Sequence, residues 1–250
     1  ADLVKFQTFK ADKIASRAAK KANYQVHNEG GSAEEGQLAM LKRLELNHTD
    51  HRSLIAHCAE RSIGFFSTGF DFDSLDFLNE LGFAQFKVPS GEITNLPYLR
   101  KLASFGKDLI MSTGMASLGE IEAAIEVIEA AGLSRTQVTV LHCTTEYPAP
   151  VDEVNLRAMQ TIARAFGVPV GYSDHTQGIE VPIAAVALGA TVIEKHFTLD
   201  NSLPGPDHAA SLEPAELSAM IAGIRKIEAA LGTAQKRRTA SETANVAVAR

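Results

Sequence analysis

The sequence has little cysteine. Only Cys58 and Cys143 occur, each in an apolar-rich segment, which argues against a disulfide scaffold and for a reducing cytoplasm. It has no surplus of positive charge either. Lys and Arg number 24 against 30 Asp and Glu, a net charge of -6, so there is no basic field for nucleic-acid phosphates or acidic lipid headgroups. An anionic substrate would need cations gathered locally. No apolar run approaches the roughly 18 residues of a membrane span, and Ala1 to Phe9 reads as a strand rather than a signal peptide. The glycine-rich dinucleotide fingerprint is missing after that strand, where Gln7, Thr8, Phe9 and Lys10 stand, which lowers the case for a Rossmann fold. What remains, with 45% hydrophobic and 22% charged residues in 250, is the profile of a globular chain able to bury one large core.

Short apolar runs suited to buried parallel strands alternate with stretches of helical period, the pattern of repeated βα units. Strands are expected at Leu3 to Phe6, Gly64 to Ser67, Ala84 to Val88, Asp108 to Met111, Val138 to His142, Val168 to Tyr172 and Thr191 to His196. Ser117 and Glu120 form a capping box ahead of an Ile121, Ile125, Ile128 stripe. Pro214 suits the first turn of a final helix that Gly232 can end. Two stretches break the order. Ala22 to Gly36 has no apolar period and reads as an excursion and flap, and Thr233 onward reads as a linker. A closed (β/α)₈ barrel short of one unit is preferred to an open doubly wound sheet.

In such barrels chemistry collects at the C-terminal ends of the strands. Polar residues recur there: Lys5 and Gln7, Ser67 and Thr68, Lys87, Ser90 and Glu92, Ser112 and Thr113, Thr144, Thr145 and Tyr147, Ser173, Asp174 and His175, then Glu194 and His196. A single strand-end hydroxyl is usually a helix cap and a single lysine usually solvated. Two lysines in apolar strands with hydroxyls at successive strand ends fit a dianionic phosphate or phosphate-carboxylate ligand instead. His175 and His196 close neighbouring βα units, so both imidazoles can meet on one divalent ion with open positions. A structural role stands beside that reading, as it does for His27, His48, His51, His57, His142 and His208. Glu194 shares a face with His196 and Lys195 lies opposite. Glu194 is a further ligand or an orienting partner. Asp207 either binds a substrate hydroxyl or is an ordinary turn aspartate.

Lys5-Phe6-Gln7-Thr8, Phe86-Lys87-Val88-Pro89-Ser90-Gly91-Glu92, Gly171-Tyr172-Ser173-Asp174-His175-Thr176 and Ile193-Glu194-Lys195-His196-Phe197-Thr198 together resemble the N-acetylneuraminate (sialic acid) synthase family over essentially the whole chain. The resemblance implies a TIM barrel enzyme, a transferase that condenses phosphoenolpyruvate with an N-acetylated amino sugar, N-acetylmannosamine or a 2,4-diacetamido hexose. The products are a nine-carbon 2-keto acid and phosphate. It implies phosphoenolpyruvate contacts at Lys5, Thr68, Lys87, Ser90, Ser112, Tyr147 and Ser173, with Thr145 a further contact where some members have asparagine. Gln7 and Asp207 would face the sugar. His175 and His196 would bind Mn²⁺, with Mg²⁺ or Co²⁺ as alternatives, to polarise the sugar aldehyde. Glu92 is the candidate for proton transfer or water positioning.

The same resemblance sets expectations for organisation. Residues 1–232 would form strands two to eight of the family barrel, its first βα unit lacking here, and residues 233–250 a linker toward a C-terminal antifreeze-like domain. The full-length protein would be a cytoplasmic homodimer with no nucleic acid or membrane partner. Legionaminic and pseudaminic acid synthases share this chemistry on other sugars. From other classes stand a non-catalytic phosphate- or sugar-binding barrel and a metal-dependent pyruvate aldolase. Both lysines and both histidines argue against the first, and the recurring hydroxyls favour a phosphorylated substrate over the second.

Overall fold

In the computed structural model, which describes residues 1–29 and 36–249, every expected strand forms. They are β1 (Leu3–Thr8), β2 (Gly64–Gly69), β3 (Gln85–Val88), β4 (Asp108–Ser112), β5 (Val138–His142), β6 (Val170–Asp174) and β7 (Ile193–Lys195). All pairings are parallel and follow chain order: β1 with β2, then β3 through β7 as one sheet, with β2 packed beside β3. The result is a curled partial (β/α) barrel rather than an open doubly wound sheet, whose strand order would reverse at a switch point.

The period of two decides what faces where. On β3 to β6, Phe86, Val88, Leu109, Met111, Val138, Val140, Val170 and Tyr172 pack in the main core, against helix residues such as Leu75, Leu99, Ile121, Ile125 and Ile162. The alternate residues turn into the barrel. Phe66, Ile110 and Leu141 form a small apolar plug there with Val192, and one step further along the strands the same face carries Lys87, Ser112, Ser173 and Glu194. Gly171 is what lets this interior close, since a Cβ there would lie 2.3 Å from the Val192 carbonyl oxygen and 2.6 Å from Leu141 Cδ2.

Between β1 and β2 the chain makes α1 (Ala11–Ile14), α2 (Asn23–Glu29), α3 (Gln37–Leu44) and α4 (His48–Glu60). Part of the expected flap is therefore helical. Its low apolar period hid α2, which is held by contacts to distant loops rather than by a face of its own. Residues 30–35 of that flap lie outside the described residues. The later helices are α5 (Phe72–Glu80), α6 (Leu96–Ser104), α7 (Leu118–Ala130), α8 (Ala158–Phe166), α9 (Glu180–Ala187) and α10 (Pro214–Leu231). Helix α7 starts at the expected Ser117/Glu120 capping box, and α10 has Pro214 in its first turn and Gly232 at its end. The expected linker carries two short helices, α11 (Ala240–Thr243) and α12 (Val246–Ala249), with nearly all of its side chains exposed. No helix of the described residues is long and apolar enough to cross a membrane.

Candidate active site

The inward polar layer opens on a cavity of about 380 Å³ at the C-terminal ends of the strands. Lys5, Gln7, Thr68, Lys87, Ser90, Glu92, Tyr147, Ser173, His175, Glu194, His196 and Asp207 line it. The remaining expected contacts sit just behind. Ser112 is buried and accepts a hydrogen bond from Lys87 Nζ at 2.6 Å, and Thr145 lies behind Gly114.

One wall is cationic. Lys87 is buried and Lys5 half-buried, and the Glu194 carboxylate stands between them, 3.8 Å from Lys5 Nζ and 4.0 Å from Lys87 Nζ. Ser173 Oγ donates to Glu194 Oε1 at 2.9 Å. Burial pushes the Glu194 carboxyl up, but the ammonium groups of Lys5 and Lys87 and the Ser173 hydroxyl outweigh it and hold the group down at about 2. Burial moves Lys87 below the usual lysine range, opposed by Glu194 and helped by Lys5. Among the described residues, one carboxylate thus stands within 4.0 Å of both ammonium groups.

Hydroxyls wait beside it. Thr68 Oγ1 and Thr145 Oγ1 are buried without a hydrogen-bond partner among the described residues, a condition that usually marks a ligand or water site. Gly114, with a φ of +49°, keeps the space between Ser90 and Thr145 open: a Cβ there would come within 2.6 Å of Ser90 Cβ and 3.2 Å of Thr145 Oγ1. The Gly114 amide donates to Cys143 Sγ at 3.1 Å, so this thiol acts as a buried acceptor in the floor.

The opposite wall holds the histidines. Ser173 pairs in register with Glu194 and Asp174 with Lys195; one more step along both chains brings His175 beside His196, their ring centroids 5.3 Å apart. His175 Nδ1 lies 2.5 Å from the Thr144 carbonyl oxygen. A carbonyl can only accept, so Nδ1 carries the proton and Nε2 is left with its lone pair free, the usual preparation of a metal-binding imidazole. Asp207 Oδ2 lies 3.5 Å from His196 Nδ1. Burial, helped by the nearby Lys5 cation and His175, brings His196 down to about 3, and burial also lowers His175. Both rings are therefore neutral and able to ligate at pH 7. Among the described residues no three His, Cys, Asp or Glu side chains are spaced to hold an ion. The protein would thus supply two imidazoles and leave the other positions to oxygen donors from substrate or water.

Tyr147 joins the two walls. Its ring is 4.1 Å from the His175 ring, 5.5 Å from that of His196 and 5.0 Å from Tyr24, on which it stacks. Helix α2 brings Tyr24 here, and Asn28 on the same helix donates from Nδ2 to the carbonyls of Tyr147 at 2.9 Å and Pro206 at 2.7 Å. One carboxamide therefore ties the loop after β1 to those after β5 and β7. Neither Tyr24 nor Asn28 stands out in the sequence, because a lone residue in an aperiodic segment carries no signal of its distant partners. Glu92 accepts from Asn95 Nδ2 at 2.6 Å at the cavity rim. Of the other histidines, the buried His51 is tied to Thr8 Oγ1 and the Asn47 carbonyl, and His142 to the Val154 carbonyl, as structural residues would be.

Residues 1–236 match the protein-family model described as the NeuB family. The chain is 55% identical over 250 residues to the N,N'-diacetyllegionaminic acid synthase of Campylobacter jejuni, covering 100% of this chain and 74% of that protein. It is 51% identical over 244 residues to the enzyme of the same name from Legionella pneumophila, covering 97% and 68%. The crystal structure of an N-acetylneuraminic acid (sialic acid) synthetase from Leptospira borgpetersenii superposes with a TM-score of 0.83 at 32% identity, over 99% of this chain and 80% of that one.

Proposed function

The chain belongs to the NeuB family, and from that membership we propose that it condenses phosphoenolpyruvate with an N-acetylated amino sugar, releasing phosphate and a nine-carbon 2-keto acid. The observation that carries this reading is the meeting of two lysines and two threonine hydroxyls, unpartnered among the described residues, on one wall with a pair of neutral imidazoles on the other. A dianion with a carboxylate fits the first wall. An aldehyde oxygen fits beside the second.

Lys5 and Lys87 neutralise the phosphate and carboxylate of phosphoenolpyruvate, and Thr68, Ser90, Thr145 and Ser173 hydrogen-bond its oxygens, turning one face of the enol carbon toward the acceptor. Ser112 holds the Lys87 ammonium in place, and Tyr147, its ring packed directly on the His175 imidazole, contacts phosphoenolpyruvate from the cavity wall. Gln7 and Asp207 hold the sugar hydroxyls and amide. C3 of phosphoenolpyruvate bonds to the aldehyde carbon as the C=O π pair moves onto its oxygen, which takes up a proton. Water adds at C2 and gives up one proton in its place, and the C2–O bond to phosphate breaks as the new C2 hydroxyl loses its proton with the departing phosphate, leaving the ketone. Glu92, which lines the cavity, takes the proton of that water in this reading. A divalent ion on His175 and His196, Mn²⁺ ahead of Mg²⁺ or Co²⁺, supplies Lewis-acid polarisation of the aldehyde when bound. The donor set suits it: two borderline nitrogen ligands, one with its tautomer fixed by a carbonyl.

The 55% identity to an N,N'-diacetyllegionaminic acid synthase favours a 2,4-diacetamido hexose over N-acetylmannosamine as acceptor. A cytoplasmic homodimer is the working state in this reading. Incubating the protein with phosphoenolpyruvate, Mn²⁺ and a panel of N-acetylated hexosamines, with phosphate release and keto acid followed together, tests it. Metal-dependent turnover is expected, fastest with the diacetamido sugar and lost in both His175→Ala and His196→Ala. Release of phosphate with no sugar consumed, or no turnover with any sugar, sinks the reading.

A further inference from the structure

Lys195 was expected only to face away from Glu194. It does, and its surroundings are unusual: on the outward face of β7 its side chain is 2% exposed and pairs with Asp174, which is 0% exposed, at 2.6 Å. Burying two charges costs much of what their attraction returns, and an apolar pair of similar volume would generally stabilise the sheet as well or better. An ion pair in this place is therefore poorly explained by stability alone.

Its connections supply a different reason. Lys195 Nζ also donates to the Thr176 carbonyl. Asp174 Oδ1 in turn accepts from the Thr176 amide at 3.0 Å and the Thr176 hydroxyl at 2.8 Å. The residues on both sides of His175 are thus tied, directly or through Asp174, to one ammonium group. The residue that follows this ammonium in sequence is His196. Backbone pairing fixes Asp174 opposite Lys195, but β7 ends at Lys195 and β6 at Asp174, so the ladder stops one residue short of both imidazoles. The ion pair continues the connection past that point.

We propose that Lys195 is the positioning residue of the two-imidazole site: through Asp174 and Thr176 it fixes the separation and direction of His175 and His196, and so sets the affinity for a divalent cation. The proposal rests on the metal reading given above and extends it to a residue that touches neither the ion nor either substrate.

The test titrates Mn²⁺ against the protein by electron paramagnetic resonance, with phosphoenolpyruvate affinity and thermal melting measured on the same samples. Lys195→Met is expected to weaken Mn²⁺ binding by about 10- to 100-fold, the usual cost of losing an orienting partner, while phosphoenolpyruvate affinity holds. Lys195→Arg, which keeps the charge, should recover much of the loss, and the visible spectrum of bound Co²⁺ should change in the Met variant and return toward wild type in the Arg variant. Should Lys195→Met fail to fold, Asp174→Asn, which keeps the shape and removes the charge, carries the same expectation. Wild-type Mn²⁺ affinity in a variant that merely melts earlier overturns the proposal, as does an equal loss of Mn²⁺ and phosphoenolpyruvate binding. Wild-type protein that binds no Mn²⁺ overturns the metal reading itself and the proposal with it, a result distinct from either of those.

Discussion

Lys5 on the first strand and Glu194 on the seventh face each other across the barrel interior, Nζ to Oε1, at 3.8 Å. With Lys87 at 4.0 Å from the other carboxylate oxygen, Glu194 is, among the described residues, the counter-charge that both ammonium groups share. An incoming phosphate or carboxylate competes with it for the same ammonium groups.

Glu194→Gln should therefore separate binding from stability. Phosphoenolpyruvate or inorganic phosphate should bind several-fold more tightly by calorimetry, because the competing carboxylate is gone. The variant should also lose about 2 kcal/mol of stability, less than a fully buried pair would because the side chain is 17% exposed. Weaker anion binding would show that Glu194 orients the substrate instead of competing with it.

Gly114→Ala places a methyl group 2.6 Å from Ser90 Cβ at a φ of +49°. The strained backbone should cost about 1–2 kcal/mol, read as a lower denaturant midpoint. Since the methyl group intrudes between Ser90 and Thr145, KM for phosphoenolpyruvate should rise more than KM for the sugar. Equal rises would place the phosphate elsewhere.

Asn28→Ala removes both hydrogen bonds that hold α2 to the Tyr147 and Pro206 carbonyls. The prediction is a raised KM for the sugar, little change in melting temperature, and faster amide exchange in residues 23–29. Asn28→Asp should behave similarly, because a carboxylate facing two carbonyl oxygens repels where the amide donated. Unchanged exchange in both variants would mean that other contacts hold the helix.

Acid should destabilise the metal-free protein in two stages. His196 is held at about 3 against an ordinary 6.5: the unfolded chain takes a proton that the folded one refuses, so stability is fully present above pH 6.5 and drains away as pH falls toward 3. Glu194 is held at about 2 against 4.5, so its contribution is complete above pH 4.5 and is lost between there and 2. Melting temperature, measured with a chelator present, should be level from pH 8 to 7 and then fall. His196→Gln should shrink the upper stage, to which the burial-lowered His175 and His142 also contribute, and leave the lower one. A flat profile in the wild type down to pH 5 would contradict the depressed histidine.

Much of the site could be read in the sequence because the chemistry sits at strand ends. An isolated lysine inside Phe86-Lys87-Val88 has to face the barrel when its neighbours face the helices, and His175 and His196 each follow a recognisable strand by a residue. Gly114 was visible as a glycine but not as the opening between Ser90 and Thr145, since that depends on side chains from two other loops.

By itself, then, the sequence determined the strand series, the inward alternation and the residue types that line the mouth, because a period of two and short apolar runs are local properties of a chain. Only the tertiary structure decided the partnerships: Lys5 and Lys87 sharing Glu194, Asn28 joining three loops, and Lys195 buried against Asp174. Those contacts join residues from different βα units, and whether a charge or an amide finds a partner depends on how the sheet curls and which loops meet at its rim. No local periodicity carries that information.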